Sequence, residues 1–545
     1  MAFSPVKLLF LLLLLSPIFI TSTSALNSSA TLHLSSIKNF CKTRPYPDAC
    51  FNSLKLSISI NITPNILTYL LHTLQTAISD AVKLTTLLSN TGTGGSNTIT
   101  EKQRGSIQDC KELHQITLSS LQKSVPKIQS GDSRNLADAR TYLSAALTNK
   151  NTCLEGLDSA SGPLKPVLID SVVKTYEHVS NSLSMLPRVS PGGDRKNRRL
   201  LGFPRWVSKK DRRLLQSDDD DEGDEYDASE IITVAADGSG NFSTIFDAIN
   251  YAPNNSVDRV IILVREGRYS ENVEIPSYKM NIVLIGDGSD VTFITGKRSV
   301  ADGWTTFRSA TLAISGEGFL ARDISIENTA GAKGHQAAAV RINADLTAMY
   351  RCTITGYQDT LYAHSFRQFY RQCDIYGTID YIFGNAAAVF QTCNLVSLLP
   401  LPGQYTVITA QSRESPDQDT GISIQNCTIL ASDDLYSNSK TVKSYLGRPW
   451  RPYSRTVIME SYIDDFIDPT GWSKWSEDVI RDGGLDSLYY GEYDNSGGGS
   501  VTDGRVDWVG FHVMDYYDAF NFSVAYFISG DQWLDSTSFP YYDGI

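Results

Sequence analysis

Asp359 and Asp380 sit in two short β-prone runs, Gly356-Tyr357-Gln358-Asp359-Thr360-Leu361-Tyr362 and Gly377-Thr378-Ile379-Asp380-Tyr381-Ile382-Phe383-Gly384-Asn385, 21 positions apart. Gln358 precedes the first Asp, and Gln336 lies 22 positions before Gln358. About 20–22 residues is the length of one coil in a solenoid of stacked parallel strands. These side chains are therefore expected on neighbouring rungs, roughly 4.8 Å apart. Tyr357, Leu361, Tyr362, Tyr381, Ile382 and Phe383 surround them in sequence. Two carboxylates meeting in such a setting do not both ionise cheaply, so one is expected to keep a proton near neutrality. The pair can divide into a nucleophile or base and a general acid. The glutamine amides can donate to a developing oxyanion. That set suits attack on an acyl carbon. A single Asp in a turn is ordinarily a capping residue, and a purely structural carboxyl–carboxylate pair is the plain alternative.

The elements that must position these groups are strands. From Ile231 onward short β-branched runs recur, among them 260–264, 281–285, 311–314, 323–326 and 338–342, mostly with Gly, Asn or Asp near an end. The coil-length spacing favours a right-handed parallel β-helix over a sandwich, whose strands would follow one another every 8–12 residues or so. Cys352, Cys373 and Cys393 are spaced by 21 and 20. They are expected on adjacent coils, either with one bridge between rungs or as stacked free thiols.

The N-terminal part differs in texture. Met1–Ala25 reads as a secretory signal, with Lys7 ahead of the apolar run Leu8–Ile20 and small residues up to Ala25; a retained N-terminal anchor is the alternative. Six Asn-x-Ser/Thr sequons, at Asn27, Asn61, Asn241, Asn254, Asn426 and Asn521, are compatible with secretion. From Ser36 to about Met185 apolar residues recur at helical spacing, and Asp132-Ser133 offers a helix cap. Cys41, Cys50, Cys110 and Cys153 lie in this part, and four cysteines allow three pairings. A disulfide-stapled helical bundle is the expected outcome.

Residues 188–229 read as a linker, with Arg198-Arg199-Leu200-Leu201, Arg212-Arg213-Leu214-Leu215 and an acidic run from Asp218. Repeated dibasic motifs in an exposed linker invite proteolysis. Residues 1–215 carry 26 basic and 13 acidic side chains, against 22 and 47 in 216–545. Opposed charges suggest that one part docks on the other, and an acidic second part argues against nucleic acid as a partner.

The residues now support two resemblances. Cys41-x8-Cys50, Ile107-Gln108-Asp109-Cys110-Lys111-Glu112-Leu113 and Leu143-Ser144-Ala145-Ala146-Leu147-Thr148-Asn149 leading to Thr152-Cys153 are similar to the plant invertase and pectin methylesterase inhibitor family. That resemblance implies a four-helix bundle with Cys41–Cys50 and Cys110–Cys153 bridges. Ala236-Asp237-Gly238-Ser239-Gly240-Asn241-Phe242, His335-Gln336-Ala337, the two Asp runs and Leu446-Gly447-Arg448-Pro449-Trp450, in that order, closely resemble plant pectin methylesterases across nearly all of 230–545. By this resemblance Asp380 is the nucleophile toward a galacturonate methyl ester. Asp359 is the general acid and then base, and Gln358 and Gln336 are oxyanion donors. Arg448 anchors Asp380 and, with Gln336, Thr306 and Trp450, contacts substrate. It also implies a Cys373–Cys393 bridge and release at the dibasic motifs by a subtilisin-like protease. Arg448 beside Asp380 would lower that carboxyl's pKa and leave Asp359 protonated.

The expected organisation is a signal peptide (1–25), a helical inhibitor-like pro-domain (31–187), the linker (188–229) and a β-helix esterase (230–545). The expected substrate is methyl-esterified homogalacturonan in the cell wall, with separate inhibitor proteins as further partners. No cofactor, metal or lasting membrane association after signal cleavage is expected. Without the acidic linker the second part still carries about −16, so weakly charged, highly methylated pectin is the expected preference. Ala338 and Val340, Tyr381 and Phe366 depart from the family pattern, which bears on substrate fit. Two other readings remain: a pectin lyase or galacturonase on the same fold, and a wall protein acting through its inhibitor-like domain on other esterases.

Overall fold

The computed structural model describes residues 34–55, 65–90, 99–188, 231–476 and 484–545. The signal segment, both dibasic motifs, the acidic run and the sequons at Asn27 and Asn61 lie outside these residues.

In the N-terminal part the short helix α1 (Pro47–Leu54) precedes four long helices: α2 (Ile66–Ser89), α3 (Ser106–Ser130), α4 (Ser133–Asp158) and α5 (Lys165–Met185). Side-chain oxygens stop two of them from fraying. Asn65 accepts from Thr68 N at 2.8 Å, and Asp132 accepts from Arg134 N and Asn135 N at 3.1 and 3.3 Å, the latter at the cap expected from sequence. Leu74, Leu84, Leu121, Leu143, Leu168, Val179 and Leu183 fill the bundle interior. Disulfides join Cys41 to Cys50 and Cys110 to Cys153.

Residues 232–513 wind into a parallel β-helix of three sheets with eleven, seven and eight strands. Successive coils stack in register, for example Val340↔Leu361↔Ile382 in the seven-stranded sheet. Small and β-branched side chains pointing inward make one continuous core, separate from that of the bundle. A corner follows many strands of the eleven-stranded sheet, and there one residue takes a left-handed conformation. Asp323, Arg351, Gln372, Thr392, Asn426, Glu460 and Asp494 have φ between 46° and 56°. Most of these are not the Gly or Asn that such a conformation ordinarily selects, which is why the corners are poorly marked in the sequence.

The cysteines correct one expectation. Cys352, Cys373, Cys393 and Cys427 are buried free thiols, so the Cys373–Cys393 bridge is absent. Each precedes a strand in one register, Thr353↔Asp374↔Asn394↔Thr428. In such a parallel stack the Cα–Cβ bonds run side by side rather than converging, as a bridge needs. The outcome is a four-rung column of sulfurs, with Cys427 as its last member.

Candidate active site

The seven-stranded sheet presents one row of side chains across its strands: Glu274↔Ala313↔Arg341↔Tyr362↔Phe383↔Ala410↔Arg448. Alternation along each strand puts the whole row on the same face. Tyr362 and Phe383 stack with ring centroids 4.2 Å apart and make a flat apolar floor.

Asp359 and Asp380 come just before the strands Leu361–Ala363 and Ile382–Gly384. Both adopt left-handed backbone conformations, φ 64° and 52°, which Asp tolerates better than most residues. The Asp359 N–H donates to Ile379 O at 3.0 Å, which locks one loop onto the next. Gly377 permits this close path, since a Cβ there would lie 2.2 Å from Tyr381 Cβ. Gln336 bridges in parallel to Gln358. Among the described residues neither side-chain amide has a protein hydrogen-bond partner, so both remain available to a ligand.

Arg448, at the end of the row, grips Asp380 through two bonds, Nε to Oδ1 at 2.8 Å and Nη2 to Oδ2 at 2.5 Å. Its third nitrogen donates to Tyr405 Oη at 2.9 Å. Trp475 lies against the guanidinium, 4.3 Å from ring centroid to Cζ, and stacks on Trp450. Arg448, Trp450 and Trp475, with Asp359, Asp380, Gln336, Gln358, Thr306 and Phe307, line one cavity of about 270 Å³. Gln103, Asp109, Thr152, Glu155 and Gly156 of the helical domain close it over the β-helix. All the residues expected at the site from sequence therefore meet there.

Their electrostatics differ in one respect from expectation. Burial raises the Asp380 carboxyl above its ordinary value, and Arg448 offsets this only in part, so the net lowering anticipated from Arg448 is not found. Asp359 rises further: burial, then the neighbouring charge of Asp380, place it well above the carboxylate range. Only Asp380 has a cation bonded to it, so of the two carboxyls its charged form is the better stabilised.

Tyr405 and Trp475 escaped the sequence reading. Trp472-Ser473-Lys474-Trp475 was the available signal, but nothing in it tells the two indoles apart. Trp472 is a core residue that donates to Glu492 at 3.1 Å.

Comparison with known proteins decides the family. The pectinesterase family pattern matches residues 231–531, and that of plant invertase/pectin methylesterase inhibitors matches 35–185. The chain belongs to the pectinesterase family. It is 67% identical to "Probable pectinesterase/pectinesterase inhibitor 12" of Arabidopsis thaliana over 100% of this chain and 99% of that one. It is 47% identical to "Pectinesterase/pectinesterase inhibitor" of Ficus pumila var. awkeotsang over 82% and 81% of the two chains. Among solved structures, pectin methylesterase from carrot matches at 47% identity with a TM-score of 0.57, covering 59% of this chain and 100% of its own. The carrot chain thus matches over its whole length while covering little more than half of this one, in keeping with the separate cores found here.

In this pectinesterase the inhibitor-type bundle lies over the site. Leu113 of α3 joins Phe307, Tyr362, Phe383 and Ala410 in one buried apolar cluster, with Trp450 and Trp475 packed against it. At the rim the charges pair as the halves' net charges suggest: Lys123 with Glu317 (2.6 Å), Arg140 with Asp419 (2.5 Å) and Lys150 with Glu414 (3.3 Å). Over the cleft the polarity inverts. Asp109 and Glu112 meet Arg308, Asp138 meets Arg367 at 2.9 Å, and Glu155 meets Arg451.

This arrangement fixes a pH response. Burial pushes Asp109 from 3.8 up to about 6, so its contribution to docking is complete below 3.8 and lost as pH rises through about 6. Burial also acts on Glu112, but Arg341 and Arg308 hold its carboxyl below 4.5, so its contribution is lost on further acidification. Docking is therefore expected to be strongest between roughly pH 4 and 5 and to loosen toward pH 6 and above. The check is co-elution of the two halves of linker-cut protein at graded pH; tighter association at pH 7 than at pH 5 would contradict it.

Proposed function

We propose that this pectinesterase hydrolyses galacturonate methyl esters of cell-wall pectin with Asp380 as nucleophile. The Asp380 carboxylate attacks the ester carbon, and the carbonyl π electrons move onto oxygen, where the Gln358 and Gln336 amides donate to it. Collapse breaks the C–OCH3 bond. Asp359 gives its proton to the departing oxygen, so methanol leaves and an acyl–Asp380 anhydride remains. Asp359, now a carboxylate, takes a proton from water as the water oxygen attacks the acyl carbon. Collapse returns the Asp380 carboxylate and a free galacturonate. Arg448 holds Asp380 in position throughout, Trp450 and Trp475 wall the sugar, and Thr306 contacts it.

One observation carries this reading: two buried carboxylates share a cavity, and only one of them is gripped by an arginine. The same reading makes 1–25 a cleaved signal and 31–187 a pro-domain. The linker 188–229 is cut at a dibasic motif by a subtilisin-like protease, and 230–545 is the mature secreted esterase. The test is methanol release from methyl-esterified homogalacturonan by the freed esterase domain. Chain shortening without methanol would mark a lyase or galacturonase instead. Inactivity toward pectin, with inhibition of other esterases by the helical domain, would mark an inhibitor protein.

A further inference from the structure

The esterase domain is acidic as a whole, yet beside its cleft lie two arginines, Arg308 and Arg341, whose acidic partners belong mostly to the other domain. Arg308 Nε and Thr305 Oγ1 each donate to Asp109 at 2.6 Å. Arg308 Nη2 and Ser315 Oγ donate to Glu112, the latter at 2.8 Å, and Arg341 Nη1 stands 3.4 Å from the same carboxylate. Asp109 and Glu112 are three residues apart on α3, so they project together from one helix face. Among the described residues of the esterase side, the only carboxylate ion-paired with this pair of cations is Glu274, 3.3 Å from Arg308 and about half exposed.

The placement is that of a binding groove. Thr305 lines the cavity, and Arg341 continues the row whose members Tyr362, Phe383, Ala410 and Arg448 line it, one rung beyond Tyr362 and four from Arg448, which is roughly 19 Å at the usual strand spacing. Phe307 holds it in place, with its ring centroid 3.6 Å from Cζ. Arg341 Nε and Asn343 Nδ2 are buried donors without an acceptor, which in a native interior calls for a reason. Once the helical domain leaves, this end of the groove offers guanidinium, hydroxyl and amide donors and few acceptors.

We infer that Arg308 and Arg341, with Thr305 and Ser315, form a subsite for the free carboxylates of already de-esterified galacturonate, and that Asp109 and Glu112 occupy that subsite in the precursor. The inference rests on the esterase reading above, and names what that cleft selects. A pectin chain lying along the row places an ester at Asp380 and its demethylated neighbours at the arginines. Local charge then reverses the preference for fully methylated pectin expected from net charge. Arginine is suited to this because its planar fork matches a carboxylate.

The test uses the precursor cut in its linker and freed of the helical domain. Methanol release from methyl-esterified oligogalacturonate is measured against increasing unesterified oligogalacturonate. The unesterified oligomer is expected to inhibit competitively, with an inhibition constant about tenfold higher in Arg308→Gln and restored to within about threefold in Arg308→Lys. Equal inhibition of the parent and Arg308→Gln, or none of the parent, overturns the subsite. Absence of methanol from the parent overturns the esterase reading instead. In that event direct binding of the unesterified oligomer to the parent and Arg308→Gln still decides the subsite. Should Arg308→Gln lose its folded circular dichroism, Ser315→Ala takes its place, with an expected rise of about threefold; no rise overturns the inference.

Discussion

Cutting the linker and removing the helical domain is expected to raise methanol release from pectin by at least about 100-fold, the activity of a precursor open about 1% of the time. The reason is steric before it is electrostatic. A polymer must lie along the Tyr362–Phe383 floor, and Leu113 is already buried in one apolar cluster with those two rings, 1% exposed. Leu113 belongs to this cross-domain cluster and not to the bundle's own core. Leu113→Ala therefore weakens docking without hollowing the bundle. A loss of about 2 kcal/mol at such a contact corresponds to a gain of roughly tenfold or more in the activity of the uncut precursor. An intact precursor as active as the freed esterase would show that the bundle does not guard the site.

Asp380→Asn in the freed esterase is expected to lower kcat on the order of 10⁴-fold. Asn has nearly the shape of Asp and can still accept from Arg448, so the pocket keeps its form while the nucleophile is lost. Asp359→Asn removes the proton donor and the base for water. Its distinguishing sign lies in the pH profile. Burial and the charge of Asp380 hold Asp359 protonated well above the ordinary carboxylate range, so the parent's kcat/KM falls as pH rises and that proton is lost. In Asp359→Asn this alkaline limb disappears, together with most of the rate. Retention of the limb would assign the titration to another group.

Much of this site was legible before any coordinates. The 21-residue interval between Asp359 and Asp380 is one coil of the solenoid, and in-register stacking turns that interval directly into proximity. Gln336 and Gln358 differ by 22, and they too stack, because the register slips by one residue before Val340. Arg448 and Trp450 lie on a far coil across loops of irregular length, so only the family resemblance tied them to Asp380. The resemblance also misled. It suggested a Cys373–Cys393 bridge, whereas the parallel register holds four thiols side by side. It could not indicate that Asp109 and Glu112 reach across to Arg308, since no local pattern relates residues 196 to 199 positions apart in different domains. The net lowering of Asp380 failed for a related reason: burial raises its carboxyl more than Arg448 lowers it, and neither the Asp nor the Arg reveals that burial in sequence.

The most direct test of the account is methanol release from methyl-esterified pectin, measured side by side for the intact precursor, the freed esterase and the freed esterase carrying Asp380→Asn. The account predicts that only the freed parent esterase is active, at least about 100-fold above the precursor and on the order of 10⁴-fold above the variant. Substantial methanol from Asp380→Asn would contradict it, because the groove would then carry out its ester chemistry without the one carboxylate that Arg448 holds.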